Sequence, residues 1–245
     1  MTPIKPTLIL RTLTTLTAHY PLNETTGSTA ADITGNNNPA TFTTPSPPPT
    51  APWTTAGRIN GAANLTANAY LQIQPAASLN AITTAITVST WIRRDTNPTS
   101  GDQYVIYRRN ATIASVVHIL QTPTGSVCFA INSDQICDGT IPTAEWHHIA
   151  GTYDGSTKRL YVDGILRTRS PSTGTLAFRN GYSLCLGSNQ GGTLSYNGQL
   201  DDARIYSRAI TTDEAWKLAH PEAVDCELAT AGTPFDCRRR SEPAA

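Results

Sequence analysis

Two adjacent carboxylates, Asp201 and Asp202, are the pair of residues whose spacing most clearly suggests a chemical role. They lie in a predicted strand, where neighbouring carboxylates repel each other unless a cation or hydrogen-bond donors compensate their charge. Because successive side chains of a strand point to opposite faces, the two carboxylates should serve different purposes. We expect one to bind a divalent cation and the other to accept from backbone amides or Arg204. The alternative is a solvated pair at a strand end.

The five cysteines predict disulfides rather than a zinc site or a catalytic thiol. Cys128 and Cys137 flank a predicted hairpin, where the β-carbons of facing residues approach disulfide distance. Cys226 and Cys237 bracket a polar C-terminal segment. We therefore predict the bridges Cys128–Cys137 and Cys226–Cys237, with Cys185 reduced. Proximity alone supports this choice, since two bridges among five thiols can be chosen in about fifteen ways.

Hydrolysis of sugars with retention of configuration would need two carboxyl groups ~5–5.5 Å apart. The chain has six glutamates, and no two of them lie in one predicted strand. His147 and His148 are adjacent in a predicted strand and point to opposite faces, which predicts a structural role for each. The sequence contains neither a nucleophile elbow nor a phosphate-binding glycine-rich loop with lysine. We therefore predict that the protein is not an enzyme.

Composition argues against two classes of partner. Lys+Arg and Asp+Glu number 18 each, whereas a nucleic-acid-binding protein usually carries a basic excess that neutralises phosphates. We therefore expect no nucleic-acid partner. No apolar stretch approaches the ~20 residues that span a bilayer, so we expect no membrane insertion. A single all-β domain can reach ~200–250 residues, so a chain of 245 residues does not require two domains.

Short strands are the predicted elements that position these side chains. The segment 145–167 contains three strand patterns joined by two turns, and Asp163-Gly164 between apolar residues is the strongest short-range hairpin signal. The segment 86–93 alternates as a further strand. Thr211 and Glu214 form a predicted capping box that opens one short helix. Residues 39–53 hold six prolines, which a central strand cannot accept, so we expect a surface loop there.

The run WHHIAGTYDG at 146–155, followed by LYVDG at 160–164, closely resembles the signature of laminin-G-like domains of the concanavalin A-like lectin/glucanase superfamily. The acidic pair and Arg-Ile-Tyr ending of 196–206 resemble the closing strand of that family. The resemblance implies an all-β fold: a concanavalin A-like jelly-roll sandwich of two antiparallel sheets with one short C-terminal helix. We expect this domain at 1–220, with the proline-rich loop at 39–53, and a tail at 221–245 that the second disulfide would tether.

The resemblance also implies a metal site. In laminin-G-like domains an Asp-rich first loop lies close to the acid pair of the closing strand, which carries over to Asp32 and to Asp201 or Asp202. Ca²⁺ prefers about six to eight oxygen ligands from carboxylates, carbonyls and waters. The loop adds a turn at Gly35 and amide or backbone oxygens at Asn37. We therefore predict one structural Ca²⁺ that ties the first loop to the closing strand.

The function that the resemblance implies is a non-catalytic recognition module, carbohydrate-binding or adhesive, outside the cell or on its surface. Its partner would be a glycan or a surface protein. Sandwich proteins bind sugars with exposed aromatic rings and a few polar groups. The candidate aromatic residues are Trp53, Tyr104, Tyr107, Tyr182 and Tyr196.

The alternative is a structural subunit of a virion surface or tail, which would attach to a host or decorate a particle and contact neighbouring subunits. An initial Met without a following secretory signal motivates this hypothesis. A glycoside hydrolase is the third hypothesis, and the missing glutamate pair argues against it.

Overall fold

The structure is a computed structural model, and it describes residues 15–43, 52–66, 68–113, 115–178 and 181–223. The strands are β1 (Leu16–Tyr20), β2 (Thr29–Ala30), β3 (Ala40–Thr43), β4 (Trp53–Ile59), β5 (Gly61–Leu65), β6 (Tyr70–Ile73), β7 (Ile86–Arg93), β8 (Gln103–Arg108), β9 (Val117–Gln121), β10 (Ser126–Ile131), β11 (Asp134–Thr140), β12 (His147–Tyr153), β13 (Thr157–Val162), β14 (Ile165–Pro171), β15 (Leu184–Leu186) and β16 (Gly198–Tyr206). The helices with described bounds are α1 (Ala77–Asn80) and α2 (Thr212–Ala219).

The strands form two eight-stranded sheets whose strand pairs are antiparallel, which confirms the predicted sandwich. Sheet A has the order β14-β13-β12-β7-β16-β5-β4, with β1 also paired to β16. Sheet B has the order β11-β10-β9-β8-β15-β6-β3-β2. Strands that are distant in sequence lie side by side in both sheets. The chain therefore passes repeatedly from one sheet to the other, as a jelly roll does.

The core lies between the sheets and follows the alternation of each strand. In β7, Ile86, Val88 and Ile92 point inward, and Ile149 in β12 does the same. Gly151 is required at the centre because a Cβ there would overlap the ring of Phe129 from the opposite sheet. The Phe129 ring thus occupies the space that a side chain at position 151 of β12 would fill.

The central hairpin of 145–167 forms as predicted. Asp163 and Gly164 have φ values of 51° and 75°, the positive values that a two-residue turn of this kind needs. The Asp163 carboxylate accepts from the backbone N–H of His148 at 2.9 Å and lies 2.9 Å from His147 Nδ1. Burial lowers the pKa of His148 to about 4, so its ring is neutral at pH 7. Both histidines therefore have structural contacts.

Helix α2 covers part of the outer face of sheet A. Its predicted capping box is present: the Thr211 hydroxyl accepts from the backbone N–H of Glu214 at 3.2 Å, and Glu214 Oε2 accepts from the backbone N–H of Thr211 at 2.8 Å. Ala215 of the helix packs against Ala150, Tyr161 and other apolar residues on that face. One outer face of the sandwich is thus partly covered. None of the described helices is long and apolar enough to cross a bilayer.

The disulfide Cys128–Cys137 is confirmed. The two cysteines face each other in the register of β10 and β11, with their Cα atoms 4.1 Å apart. Cys185 is free and buried in β15. The predicted bridge Cys226–Cys237, and most of the predicted tail at 221–245, lie outside the described residues.

The predicted extent of the proline-rich loop, 39–53, is wrong at both ends, because strands lie there. Residues 40–43 form β3 and pair with β6, and β4 begins at Trp53. The sequence ATFT can pair on both sides, with β6 and with β2, because the prolines of the segment lie outside it. Residues 44–51 lie outside the described part of the chain.

Candidate functional site

One row of side chains crosses the outer face of sheet B from β11 to β3. Residues that face each other on neighbouring strands point to the same side of a sheet. The register places in this row Gln135, Ala130, His118, Tyr107, Cys185, Gln72 and Thr41. A second, shorter row contains Cys137, Cys128, Leu120 and Tyr104. We call this outer face of sheet B the tyrosine face.

Three rings form the centre of the tyrosine face. The ring centroids of Tyr104 and Tyr107 lie 4.7 Å apart at an interplanar angle of 64°. Those of Tyr104 and His118 lie 5.3 Å apart at 83°. Edge-to-face contacts of this kind are favourable and hold the rings in one orientation. Tyr107 and His118 are 7% and 5% exposed, whereas Tyr104 is partly exposed, so Tyr104 is the ring that a ligand can contact.

His118 connects the aromatic centre to an amide at the edge of the sheet. Its Nδ1 lies 2.7 Å from the Ser115 hydroxyl, and its Nε2 lies 3.3 Å from Gln135 Oε1. Burial lowers the pKa of His118 to about 4, so the ring is neutral at pH 7. The contacts fit a tautomer in which Nδ1 accepts from Ser115 and Nε2–H donates to Gln135. His118 therefore orients the exposed amide of Gln135.

A second amide lies on the other side of the rings. Gln72 donates from Nε2 to the Ser183 hydroxyl at 3.0 Å, and its Oε1 accepts from the Thr43 hydroxyl at 3.4 Å. Nearby, the Arg109 guanidinium lies 5.7 Å from the centroid of the Tyr182 ring. Amide side chains thus flank the aromatic centre on both sides.

The titratable groups at the centre of the tyrosine face are uncharged at pH 7. Burial raises the pKa of Tyr104, and Asp102 adds to the effect. Burial and the neighbouring Tyr104 raise the pKa of Tyr107. Burial also raises the pKa of the Cys185 thiol to about 12. With neutral His118, these groups present hydroxyl, imidazole and amide hydrogen-bonding atoms without ionic charge, which favours a neutral ligand rich in hydroxyl groups.

A loop after β15 forms the rim beside Tyr104. The Asn189 side-chain oxygen accepts from the backbone N–H of Thr193 at 2.9 Å and of Leu194 at 3.1 Å, which fixes the turn. The Leu194 carbonyl in turn accepts from the backbone N–H of Tyr104 at 3.1 Å. The Leu194 side chain is 38% exposed. An apolar side chain therefore lies on the loop that borders the accessible ring.

The structure separates the five aromatic candidates. Tyr196 is 1% exposed in the core, and Trp53 is 8% exposed, packs against Phe42 and donates to the Gly27 carbonyl. Those two residues are core residues. Tyr104 and Tyr107 lie on the tyrosine face, whereas Tyr182 is partly exposed beside Ser183, the residue that accepts from Gln72. His118, Gln72 and Gln135 are not among the predicted site residues, although the alternation of β9 places His118 on the face opposite the core.

Both carboxylate oxygens of Asp32, a predicted metal ligand, accept hydrogen bonds from the protein. One oxygen accepts from the His19 N–H (3.1 Å), the Thr34 N–H (3.0 Å) and the Thr34 hydroxyl (2.7 Å). The other accepts from the Asn38 N–H (3.1 Å) and side-chain amide (3.0 Å). Gly35 and Asn37 have φ values of 84° and 56°, as turn residues do.

Asp201 and Asp202 have different partners, and both contact hydrogen-bond donors of the protein. A β-bulge follows Asp201, and Asp202 has a φ of 48°. Asp202 lies 2.6 Å from His19 Nε2 and 2.9 Å from Arg204 Nη2. Although burial opposes the effect, the hydrogen bond from His19 and the charge of Arg204 lower the pKa of Asp202. Asp201 accepts from the backbone N–H of Ile59 at 2.7 Å, and burial raises its pKa to about 7.

His19 links the first loop to the closing strand, which is the role predicted for a Ca²⁺ ion. Its backbone N–H donates to Asp32 and its ring contacts Asp202, so it joins the first loop to the closing strand. A Ca²⁺ ion between these carboxylates would have to displace the donors around them. The described residues also contain no group of three His, Cys, Asp or Glu side chains arranged to hold a metal. The donors around these carboxylates therefore do not fit a bound Ca²⁺ ion, and the Ca²⁺ site expected from the sequence is untested.

The fold is similar to several solved structures. Domain 4 of AbnA, a GH43 extracellular arabinanase from Geobacillus stearothermophilus in complex with arabinotriose, has a TM-score of 0.65 and 23% identity, over 84% of this chain and 98% of that chain. The binding domain of Paraclostridial Mosquitocidal Protein 1 has a TM-score of 0.62 and 17% identity, over 85% of this chain and 52% of that chain. Trypanosoma rangeli sialidase has a TM-score of 0.61 and 12% identity, over 84% of this chain and 32% of that chain. The chain thus spans about half of the toxin structure and about a third of the sialidase.

The sequence comparisons give one family. No curated protein sequence matches the chain significantly. Residues 65–215, which include the central hairpin and the closing strand, match the Laminin_G_3 family, described as concanavalin A-like lectin/glucanases superfamily. The sandwich of two antiparallel sheets agrees with this match. The chain therefore belongs to the concanavalin A-like lectin/glucanases superfamily.

Proposed function

We propose that the protein is a non-catalytic module that binds neutral carbohydrate on the tyrosine face. The observation that carries this proposal is the row across sheet B, in which aromatic rings lie between the amides of Gln135 and Gln72. Apolar faces of sugar rings stack on aromatic side chains, and amides bond the hydroxyl groups. Because the central groups are uncharged, a neutral sugar avoids the cost of burying an unpaired charge.

The absence of carboxylates from this face supports a binding role. Neither of the two rows that define the tyrosine face contains an aspartate or a glutamate. Glycoside hydrolysis usually requires two carboxyl groups flanking the scissile bond. A sugar on this face would therefore be held without being cleaved.

One of the similar structures holds a sugar. One is a domain of an extracellular arabinanase in complex with arabinotriose, and another is the binding domain of a toxin. At identities of 23% and 17% these likenesses show the fold alone, so the ligand is inferred from the tyrosine face. We propose an extracellular or cell-surface location, where such a module meets glycans.

Calorimetric titration with arabinotriose and a panel of neutral oligosaccharides tests the proposal. Tyr104→Ala should weaken binding of the preferred sugar about tenfold, since an aromatic contact contributes roughly 0.5–1.5 kcal/mol beyond the area that it buries. Trp216→Ala is the matched control, because Trp216 is an exposed aromatic residue, 43% accessible, on α2 against the other sheet. Equal loss in both variants, or unchanged binding in Tyr104→Ala, would contradict the assignment.

The structural-subunit hypothesis predicts a different result. A virion surface or tail subunit without lectin activity should bind no saccharide of the panel and should sediment as an assembly. Sedimentation velocity of the same samples separates the two hypotheses. A monomer with a saturable sugar supports the module proposed here.

A further inference from the structure

A cleft in the described part of the chain lies away from the centre of the tyrosine face, at the edge of the sandwich. It has a volume of about 410 Å³. Its lining residues are Ile131, Asn132, Asp134, Pro171, Ser172 and Thr173. They come from the end of β10, the turn to β11 and the end of β14, and β11 and β14 are the edge strands of their sheets on this side. Ligand pockets commonly measure about 300–1,000 Å³, so the cleft is large enough for one sugar unit.

A buried ammonium group keeps Asp134 ionised in this cleft. Lys158 is 0% exposed, and its Nζ contacts Asp134 Oδ2. The Ser172 hydroxyl donates to the same oxygen at 3.1 Å. The hydrogen bond from Lys158 lowers the pKa of Asp134. Both contacts use Oδ2, and Oδ1 accepts from no group in the described part of the chain, so one carboxylate oxygen remains available in the cleft.

Asn132 adds a second acceptor. Its side-chain nitrogen donates to the Thr175 carbonyl at 3.3 Å, which fixes the orientation of the amide. Its side-chain oxygen is buried and has no hydrogen-bond partner in the described residues. A buried acceptor without a donor is unfavourable and marks a position where a water or a ligand hydroxyl belongs. The cleft therefore offers two oxygen acceptors beside the apolar side chains of Ile131 and Pro171.

We propose that this cleft is a second carbohydrate site, which binds one neutral sugar unit through a pair of hydroxyl groups on adjacent carbons. One hydroxyl donates to Asp134 Oδ1 and the other to Asn132 Oδ1, while the ring carbons contact Ile131 and Pro171. The Asp134 carboxylate disfavours an anionic ligand. The Lys158 ammonium on the same carboxylate disfavours a metal cation. The site is independent of the tyrosine face, because none of its lining residues belongs to the two rows that define that face.

The variant Asn132→Gly tests the proposal without disturbing the backbone. Asn132 has a φ of 50°, which glycine adopts at no steric cost, so the variant keeps the turn while it removes the acceptor and the hydrogen bond to the Thr175 carbonyl. Asp134→Asn is a poorer choice because it would leave Lys158 buried without a counter-charge. The probes are L-arabinose, D-galactose and D-galacturonate, titrated into the ¹⁵N-labelled full chain. The amide signals of residues 131–134, 172 and 173 report the cleft.

We expect at least one neutral sugar to shift the cleft signals, D-galacturonate to bind more weakly than D-galactose, and Asn132→Gly to weaken binding at least about tenfold. Tyr104→Ala should leave the cleft shifts unchanged. The inference is overturned if no neutral sugar shifts these signals, if galacturonate binds more tightly, or if Asn132→Gly binds as the parent does. Shifts confined to the tyrosine face would overturn the cleft site and leave the proposed function standing. Shifts confined to the cleft would overturn the proposed function of the tyrosine face and leave the cleft site standing.

Discussion

Replacing Asp201 by asparagine should stabilise the protein at pH 8, and the effect of the substitution should become less favourable as pH falls. Asp201 is 0% exposed on β16. One carboxylate oxygen accepts from the backbone N–H of Ile59, and the other is buried without a hydrogen-bond partner in the described residues. Burial therefore raises the pKa of Asp201 from 3.8 to about 7 in the folded protein. An ionised aspartate in this position costs more than a neutral one.

The size and sign of the effect follow from proton linkage. Because the folded pKa is raised, the protonated folded form is favoured, and this relative stability is lost as pH rises from 3.8 towards 7. Above that range, ionisation of Asp201 lowers the free energy of unfolding by the equivalent of about three pKa units, or ~4 kcal/mol at 1.36 kcal/mol per unit. At pH 5 the cost is about 1.2 units, or ~1.6 kcal/mol. The difference between pH 8 and pH 5 is therefore ~2–3 kcal/mol.

Asp201→Asn removes the charge and keeps an oxygen that can accept from Ile59. Its amide nitrogen leaves a buried donor unpaired, which costs about 1–3 kcal/mol at any pH. The useful quantity is therefore the change in free energy of unfolding from pH 5 to pH 8, in which that constant cost cancels. Urea unfolding at both pH values, followed by the fluorescence of the four tryptophans, measures it.

Asp202→Asn is the matched control because the pKa of Asp202 is lowered by His19 and Arg204. A lowered folded pKa gives stability above the unfolded pKa, so this variant should lose stability at both pH values. A gain in Asp201→Asn that does not depend on pH would refute the reasoning. A loss in Asp201→Asn, larger at pH 8, would show that Asp201 is ionised in the fold and held by a cation.

Three further predictions concern acid, the disulfide and calcium. Burial lowers the pKa of His118 and of His148 from 6.5 to about 4, so stability is lost as pH falls from 6.5 towards 4. At pH 5 each of the two histidines should lower the free energy of unfolding by ~2 kcal/mol, and protonation of Asp201 partly offsets this loss. In urea unfolding, His118→Gln should therefore lose less stability between pH 7 and pH 5 than the parent protein does. Reduction of Cys128–Cys137, which closes a loop with a sequence separation of 9, should cost ~2.7 kcal/mol, and a midpoint unaffected by reductant would contradict this. For calcium, the donors around Asp32 predict equal melting midpoints in EDTA and in CaCl₂, whereas a rise with CaCl₂ that Asp32→Ala abolishes would establish the ion that the sequence predicts.

Local sequence determined the hairpins, the cap of α2 and one disulfide. Asp163-Gly164 specifies its turn because positive φ at both positions is compatible with few residue pairs. The Thr211–Glu214 box caps α2 within four residues of chain. The family signature at 146–164 identified the sandwich because these turn and strand residues recur together. Each of these features depends on residues that are close in sequence.

Only the tertiary structure decided which side chains share the tyrosine face. Its central row depends on β15 lying between β8 and β6, so Cys185 faces Tyr107 on one side and Gln72 on the other. Such pairings join residues far apart in sequence, and their register is set by how the whole core packs rather than by a turn. The same holds for His19, whose ring reaches Asp202 only because β1 pairs with β16. Alternation indicates which residues of a strand share a side, but the neighbouring strand, and therefore the chemistry of the site, comes from the fold.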